Sequence, residues 1–295
     1  MKRWLLSLAA LAALHAAAPA GAGGPLRVVA AENFWGSIAA QLGGSYVQVT
    51  SVIANPATDP HDYEPTAVDA RTLAGARLAI VNGAGYDPWA TKLLDANPVH
   101  GRAILDIGDL VGVEAGGNPH RWYSPANVHA VIASITRDYK RLDPQHAHAF
   151  ERLRTAYETR RLVRYTAQIA AIRRLYAGVP VGASESIFAP LARALGLRLL
   201  TPSPFLGAVS EGAEPTAKDK RTVDRQIARR EIDVWIYNSQ NSTPDVQRLT
   251  DAAHRRGIPV ATVTETLAPT TATFQDWQAR QLLALRAALH AATGR

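Results

Sequence analysis

Four loop positions in this chain carry a side chain that could bind a metal ion. His61 lies in the loop DPHDYEP and His120 in the loop NPHRW, while Glu185 and Glu265 each come directly after a short apolar run typical of a buried strand. Two ionised carboxylates would neutralise a divalent cation, and two neutral imidazoles would complete its coordination shell. The residue types therefore favour a site for one divalent transition metal.

The spacing of these residues is less informative than their types. A proline precedes each histidine, and this proline stiffens the backbone and removes one backbone N–H donor. The imidazole is therefore held in position rather than left mobile. The separations of 59, 65 and 80 residues match no local metal motif. From the residues alone, surface histidines and helix-capping or solvated carboxylates remain open as alternatives.

Strands alternate with helices on both sides of the candidate residues, which predicts a mostly parallel sheet covered by helices in each half of the chain. Between the halves, Asp143-Pro144 starts a stretch that lacks glycine and further proline up to about Tyr176, typical of one helix of about 50 Å. We therefore predict an α/β fold with two Rossmann-like βα lobes joined by one long rigid α-helix. Ligands of open α/β sheets lie beyond the carboxyl ends of the strands, so the metal site is expected in the cleft between the lobes. The predicted divisions are a signal peptide at 1–22, an N-terminal lobe at 23–142, the connecting helix at 143–177 and a C-terminal lobe at 178–295.

The first 22 residues have the pattern of a secretory signal peptide. Lys2 and Arg3 precede the apolar run Trp4–Ala18, and small residues follow at 20–22. The run of roughly 15 residues is shorter than the about 20 that a transmembrane helix needs. We therefore expect cleavage and release into a Gram-negative periplasm.

The composition excludes several other classes of protein. The chain has no cysteine, which excludes disulfides, thiolate ligands and a lipid-modified cysteine. Its formal charge of +7 is spread over many predicted helices rather than gathered in a run, so we expect no nucleic-acid partner.

The two histidine loops resemble those of a known family, the solute-binding components of the manganese/zinc ABC importers. DPHDYEP is similar to the first metal loop of that family, and NPH followed by Trp122 and the letters SPAN is similar to the second. Asn82-Gly83, Trp89 and the long helix also match, so that the resemblance covers nearly the whole chain after the signal peptide. The resemblance implies that His61 and His120 are ligands.

The same resemblance implies the two carboxylate ligands. The third family position is a histidine or a glutamate, and SES with Phe188 is similar to the glutamate form, which implies Glu185. The fourth is usually an aspartate, and here Glu265 stands in its place with one additional methylene group. The letters SEG at 210–212 with EP at 214–215, and NSQ at 238–240, are interpreted as architecture and as contacts with the importer.

The resemblance implies a periplasmic protein, not an enzyme, that delivers Mn²⁺ or Zn²⁺, with Fe²⁺ as a further option, to a cognate ABC permease in the inner membrane. Ligand hardness and the lack of a histidine-rich loop between Glu64 and Gly117 favour manganese, whereas one oxygen from each carboxylate would suit zinc. We expect a monomer. The alternatives are a periplasmic metallohydrolase, which would need an open coordination position, and a binding protein for a siderophore or other organic solute, which would need a wide aromatic pocket.

Overall fold

We describe the fold from a computed structural model, in which residues 24–56, 58 and 63–295 are described. The signal sequence predicted at 1–22 and the residues 59–62, among them His61, lie outside the described residues.

Strands and helices alternate along both halves of the chain. The strands are β1 (Leu26–Glu32), β2 (Val47–Ile53), β3 (Leu78–Val81), β4 (Ala103–Asp106), β5 (Pro180–Ala183), β6 (Arg198–Leu199), β7 (Val234–Asn238) and β8 (Val260–Val263). The α-helices are α1 (Asn33–Gly43), α2 (Ala67–Ala74), α3 (Pro88–Ala96), α4 (Ile107–Val111), α5 (Pro125–Leu142), α6 (Ala147–Ala156), α7 (Val163–Tyr176), α8 (Ala189–Leu195), α9 (Ser203–Ser210), α10 (Ala217–Ala228), α11 (Pro244–Arg255) and α12 (Phe274–Thr293). Short 3₁₀ turns occupy Gly44–Tyr46, Arg121–Tyr123, Pro144–His146 and Ser186–Phe188.

The strands form two parallel sheets of the same topology. The strand order is β2-β1-β3-β4 in the first lobe and β6-β5-β7-β8 in the second. All pairings are parallel, from the β1–β2 ladder to the β7–β8 ladder. The two-lobed α/β architecture predicted from the sequence is confirmed. Because parallel strands end at the same edge of a sheet, each lobe gathers its strand-following loops at one edge.

The apolar residues of the strands and helices explain these elements. All four residues of β3 are buried, as expected of a central strand covered on both faces. Helix α5 begins with Ser124, whose side chain accepts a hydrogen bond from the backbone N–H of Asn127, and with Pro125 in its first turn. Helix α9 was not predicted, although it opens with Ser203-Pro204.

The connection between the lobes differs from the single α-helix that the sequence predicts. Helices α6 and α7 are joined by a π-helical turn at Tyr157–Arg161, in which the Leu162 N–H donates to the Tyr157 carbonyl at 3.0 Å. Tyr157 and Leu162 are both buried. Five residues of regular α-helix would rotate them onto different faces, so the wider turn brings both into the core.

The two lobes also pack directly on each other. Helix α12, which ends the chain, contacts both α7 and α1. The Phe274 N–H donates to Ser37 Oγ at 2.9 Å, and the Gln275 and Gln41 side chains exchange hydrogen bonds. One hydrophobic cluster includes residues of both lobes. In the part of the chain that the structure describes, no helix has the length and apolar character required to span a bilayer.

Candidate metal site

Three of the four predicted ligands lie together between the lobes. The Nε2 atom of His120 is 3.5 Å from Glu265 Oε2 and 3.7 Å from Glu185 Oε1. One ligand atom from each residue lies within 4.8 Å of the others, and all three side chains are buried. A cation placed among these atoms would contact one imidazole and two carboxylates.

The two sheets determine this arrangement. Glu185 comes two residues after the end of β5, and Glu265 two residues after the end of β8, and these two strands lie on either side of β7 in the second sheet. His120 comes from the first lobe and immediately precedes the 3₁₀ turn at Arg121–Tyr123. The site therefore requires both lobes to be in their observed positions.

The imidazole of His120 has a defined orientation. Asn118 Oδ1 accepts the backbone N–H of His120 at 3.0 Å and lies 3.0 Å from its Nδ1 atom, while Asn118 Nδ2 donates to the Ser186 carbonyl at 2.7 Å. An amide oxygen can only accept, so the Nδ1 atom carries the proton in this bond. The lone pair on Nε2 then faces the two carboxylates, as metal coordination requires.

Amide and hydroxyl groups orient the carboxylates. Asn241 Nδ2 donates to Glu185 Oε2 at 2.7 Å, and Glu185 Oε1 has no hydrogen-bond donor among the described residues. Asn238 Nδ2 donates to Glu265 Oε1 at 2.7 Å, and the hydroxyl of Tyr86, from the first lobe, donates to Glu265 Oε2 at 3.0 Å. The carboxylate oxygens nearest to His120 are thus Oε1 of Glu185 and Oε2 of Glu265.

Burial changes the protonation of these groups. It raises the pKa of Glu185 to about 8, and the nearby charge of Glu265 adds to this shift. Burial lowers the pKa of His120 to about 4, and the charge of Glu185 opposes that change only in part. At neutral pH the site therefore holds a neutral imidazole and a protonated Glu185. A divalent cation would replace that proton and remove the repulsion between the carboxylates.

Aromatic rings cover the histidine. The ring centroids of Trp122 and Tyr86 lie 5.2 Å and 5.9 Å from that of His120, and Phe34 stacks on Trp122 at 4.1 Å. All of these rings are completely buried. They exclude water from one side of the site, which strengthens electrostatic interactions within it.

The loop that carries His61 is described only at its two ends. On one side, Pro56 accepts a hydrogen bond from Gln240 Nε2 of the second lobe. On the other side, the Tyr63 hydroxyl donates to Asp69 at 2.8 Å, and its ring packs on Trp89 at a centroid distance of 4.9 Å. His61 as a ligand stays a prediction.

Several residues of the site were not recognised as such from the sequence. The sequence predicts architectural and importer-contact roles for Asn238 and Gln240, and it gives no signal for Tyr86 or Asn241. The position of Asn238 at the end of β7 is a usable signal, because that strand pairs with the strands that precede both glutamates. Tyr86 comes from the other lobe, and no local pattern connects it to Glu265.

Comparison with known proteins shows a family match over residues 28–288, to the family described as zinc-uptake complex component A, periplasmic. The metal ABC transporter substrate-binding lipoprotein FimA of Streptococcus parasanguinis is 23% identical over 258 residues, which are 81% of this chain and 80% of that protein. The iron-binding protein YfeA of Yersinia pestis is 28% identical over 203 residues, which are 65% of this chain and 64% of that protein.

Solved structures share the fold. A manganese-bound periplasmic metal-binding protein from Candidatus Liberibacter asiaticus aligns with a TM-score of 0.74 at 19% identity, covering 90% of this chain and 99% of that one. The periplasmic zinc-binding protein TroA from Treponema pallidum aligns with a TM-score of 0.73 at 19% identity, with the same coverage.

Proposed function

Because the chain belongs to the family of periplasmic zinc-uptake component A proteins, we propose that it binds one divalent transition metal between its lobes and delivers it to an ABC importer. The observation that carries this proposal is the buried cluster of His120, Glu185 and Glu265. Two buried carboxylates beside a neutral imidazole are costly without a cation, since burial and mutual repulsion both oppose their ionisation. A bound cation would compensate both costs.

We propose His61 as the fourth ligand. The support is its place in a loop similar to the first metal loop of the family, together with the described ends of that loop. The carbonyl of Pro56 contacts Gln240 beside Glu265, which brings the start of the loop to the lobe that carries both glutamates. A second imidazole would give two nitrogen and two carboxylate ligands.

We also propose that the protein works in the periplasm, after cleavage of a signal peptide at about residue 22, with an inner-membrane permease as its partner. The signal-like N-terminus and the family match support this location. FimA is named as a lipoprotein. The 295 residues of this chain contain no cysteine.

Calorimetric titration of the metal-stripped protein with Zn²⁺ and with Mn²⁺ tests metal binding. We expect one tight site, and His120→Ala should weaken it by more than the about 10–100-fold typical of losing an outer hydrogen-bond partner. His61→Ala tests the fourth ligand in the same way. The matched control is His254→Ala, which changes an exposed histidine on α11.

Two results would contradict the proposal. One is the absence of tight binding of any divalent transition metal to the wild-type protein. The other is a His120→Ala variant that binds as tightly as the His254→Ala control. Wild-type affinity in His61→Ala alone would remove only that ligand from the proposed set.

A further inference from the structure

The loop that follows β7 carries three amide side chains, and all three form hydrogen bonds at or directly beside the two carboxylates of the site. Asn238 donates to Glu265, Asn241 donates to Glu185, and Gln240 binds the residue after Glu265. The segment 238–241 is here called the amide loop. It orients both carboxylate ligands although it contributes no ligand of its own.

The amides are themselves fixed. Asn238 Oδ1 accepts the Gln240 N–H at 3.0 Å, which orients its Nδ2 group toward Glu265. Asn241 Nδ2 also donates to the Val209 carbonyl at the end of α9, at 3.1 Å. Each amide therefore holds its carboxylate oxygen from a rigid position.

Each amide occupies one oxygen of a carboxylate, and the other oxygen faces His120. For Glu185 the held atom is Oε2 and the inner atom is Oε1, which has no hydrogen-bond donor among the described residues. For Glu265 the amide holds Oε1, and the inner atom Oε2 accepts the Tyr86 hydroxyl of the other lobe. Both of these hydrogen bonds are 2.7 Å long, at the short end of the range for an N–H donor and a carboxyl oxygen.

We propose that the amide loop determines metal selectivity by limiting each glutamate to one metal-binding oxygen. This inference rests on the proposed function, since it concerns the same site. One donor atom from each ligand gives a low coordination number, which Zn²⁺ and Co²⁺ accept readily as a tetrahedral site. Mn²⁺ favours more oxygen ligands, and it would require both oxygens of at least one carboxylate.

The amide loop reverses the metal preference that the ligand types alone would give. Hardness alone favours manganese for two carboxylates without sulfur. In the structure, a glutamate that bound the metal through both oxygens would have to strain or break the 2.7 Å hydrogen bond that it accepts from an asparagine side chain. The amide loop therefore favours zinc over manganese.

The Asn241→Ala variant tests this inference. Asn241 is only partly buried, so its removal should leave the fold intact, which circular dichroism and thermal unfolding of the metal-free protein would check. Competition titrations would measure the ratio of the Mn²⁺ to the Zn²⁺ dissociation constant, and the visible spectrum of the Co²⁺ protein would report the coordination number. Asn97→Ala, which removes a partly buried amide remote from the site, is the matched control.

We expect the wild-type and control proteins to give the intense Co²⁺ absorption of a four-coordinate site. In Asn241→Ala the Zn²⁺ affinity should fall about 10–100-fold, as for other outer partners of metal ligands, while the Mn²⁺ affinity falls less or rises. The Co²⁺ absorption should weaken as Glu185 binds through both oxygens. If Asn241→Ala does not fold, Asn241→Ser, which keeps a shorter donor, should show a smaller change in the same direction.

A weak, six-coordinate Co²⁺ spectrum in the wild-type protein would overturn the inference. So would equal losses of Zn²⁺ and Mn²⁺ affinity in Asn241→Ala, because a merely structural role would lower both together. Failure of the wild-type protein to bind any of the three metals would instead refute metal binding itself.

Discussion

Proton release on metal binding is the most direct consequence of the buried site. Burial and the charge of Glu265 raise the pKa of Glu185 to about 8, so the metal-free protein carries a proton there at neutral pH. His120 carries no proton to release on Nε2, because burial lowers the pKa of its ring to about 4. A metal ion that binds Glu185 must therefore displace one proton, which is the proton on the Glu185 carboxyl group.

The size of this effect follows from the pKa. With a value of about 8, metal binding should release close to one proton at pH 7 and much less at pH 9. The apparent association constant should therefore fall about tenfold for each unit of pH below 8. Protonation of His120 would make the association constant fall more steeply with decreasing pH, and this effect should begin only near pH 4.

Calorimetry in several buffers of different ionisation enthalpy measures the number of protons released at each pH. Glu185→Gln is the control, because an amide does not titrate, and it should release almost no protons while binding the metal more weakly. Proton release close to zero at pH 7, or equal release at pH 7 and pH 9, would refute the assignment of the proton to Glu185.

Three further predictions concern residues around the site. Tyr86→Phe removes the hydroxyl that donates to Glu265 Oε2 and should weaken metal binding about tenfold without changing the fold, as measured by titration and circular dichroism; unchanged affinity would contradict the role given to that bond. Glu265→Asp shortens the ligand by one methylene and should weaken binding by at least as much, and tighter binding would contradict the placement of this carboxylate. Glu32 is buried beside Asp87. Burial raises the pKa of Glu32 well above the ordinary value, and the nearby charge of Asp87 adds to this shift. The proton on Glu32 stabilises the folded state fully below about pH 4.5, and this contribution is lost as the pH rises toward the raised pKa. Glu32→Gln should therefore increase the free energy of unfolding more at pH 8 than at pH 5, as urea denaturation would show, and an equal change at both values would contradict the buried proton.

Much of the fold could be predicted because local pattern and tertiary position agree. β7 and β8 are short, mostly apolar runs, and the alternation of such runs with helical segments is what predicts an α/β fold. The connection between the lobes could not be predicted in detail. Its π-helical turn depends on burying Tyr157 and Leu162 together against the rest of the core, and helix propensity contains no information about that contact.

The candidate site divides in the same way. Residues that follow strands, such as Glu185 and Glu265, can be located because the ends of parallel strands share one edge of a sheet. Residues that orient the ligands are harder to find. Asn118 is two positions from His120, but its role became visible only from its contact with Ser186 across the cleft.

Glu265 is the proposed ligand that departs from the family pattern, and its surroundings favour that proposal. A longer side chain loses more rotamer freedom when it is ordered, so it binds well only if its surroundings fix it. Here Asn238 from its own lobe and Tyr86 from the other lobe each hold one oxygen, and Oε2 remains 3.5 Å from His120 Nε2. Both lobes therefore hold this carboxylate. The same contacts connect this proposed ligand to the relative position of the lobes, so we expect a shift of one lobe that breaks the Tyr86 hydrogen bond to weaken metal binding.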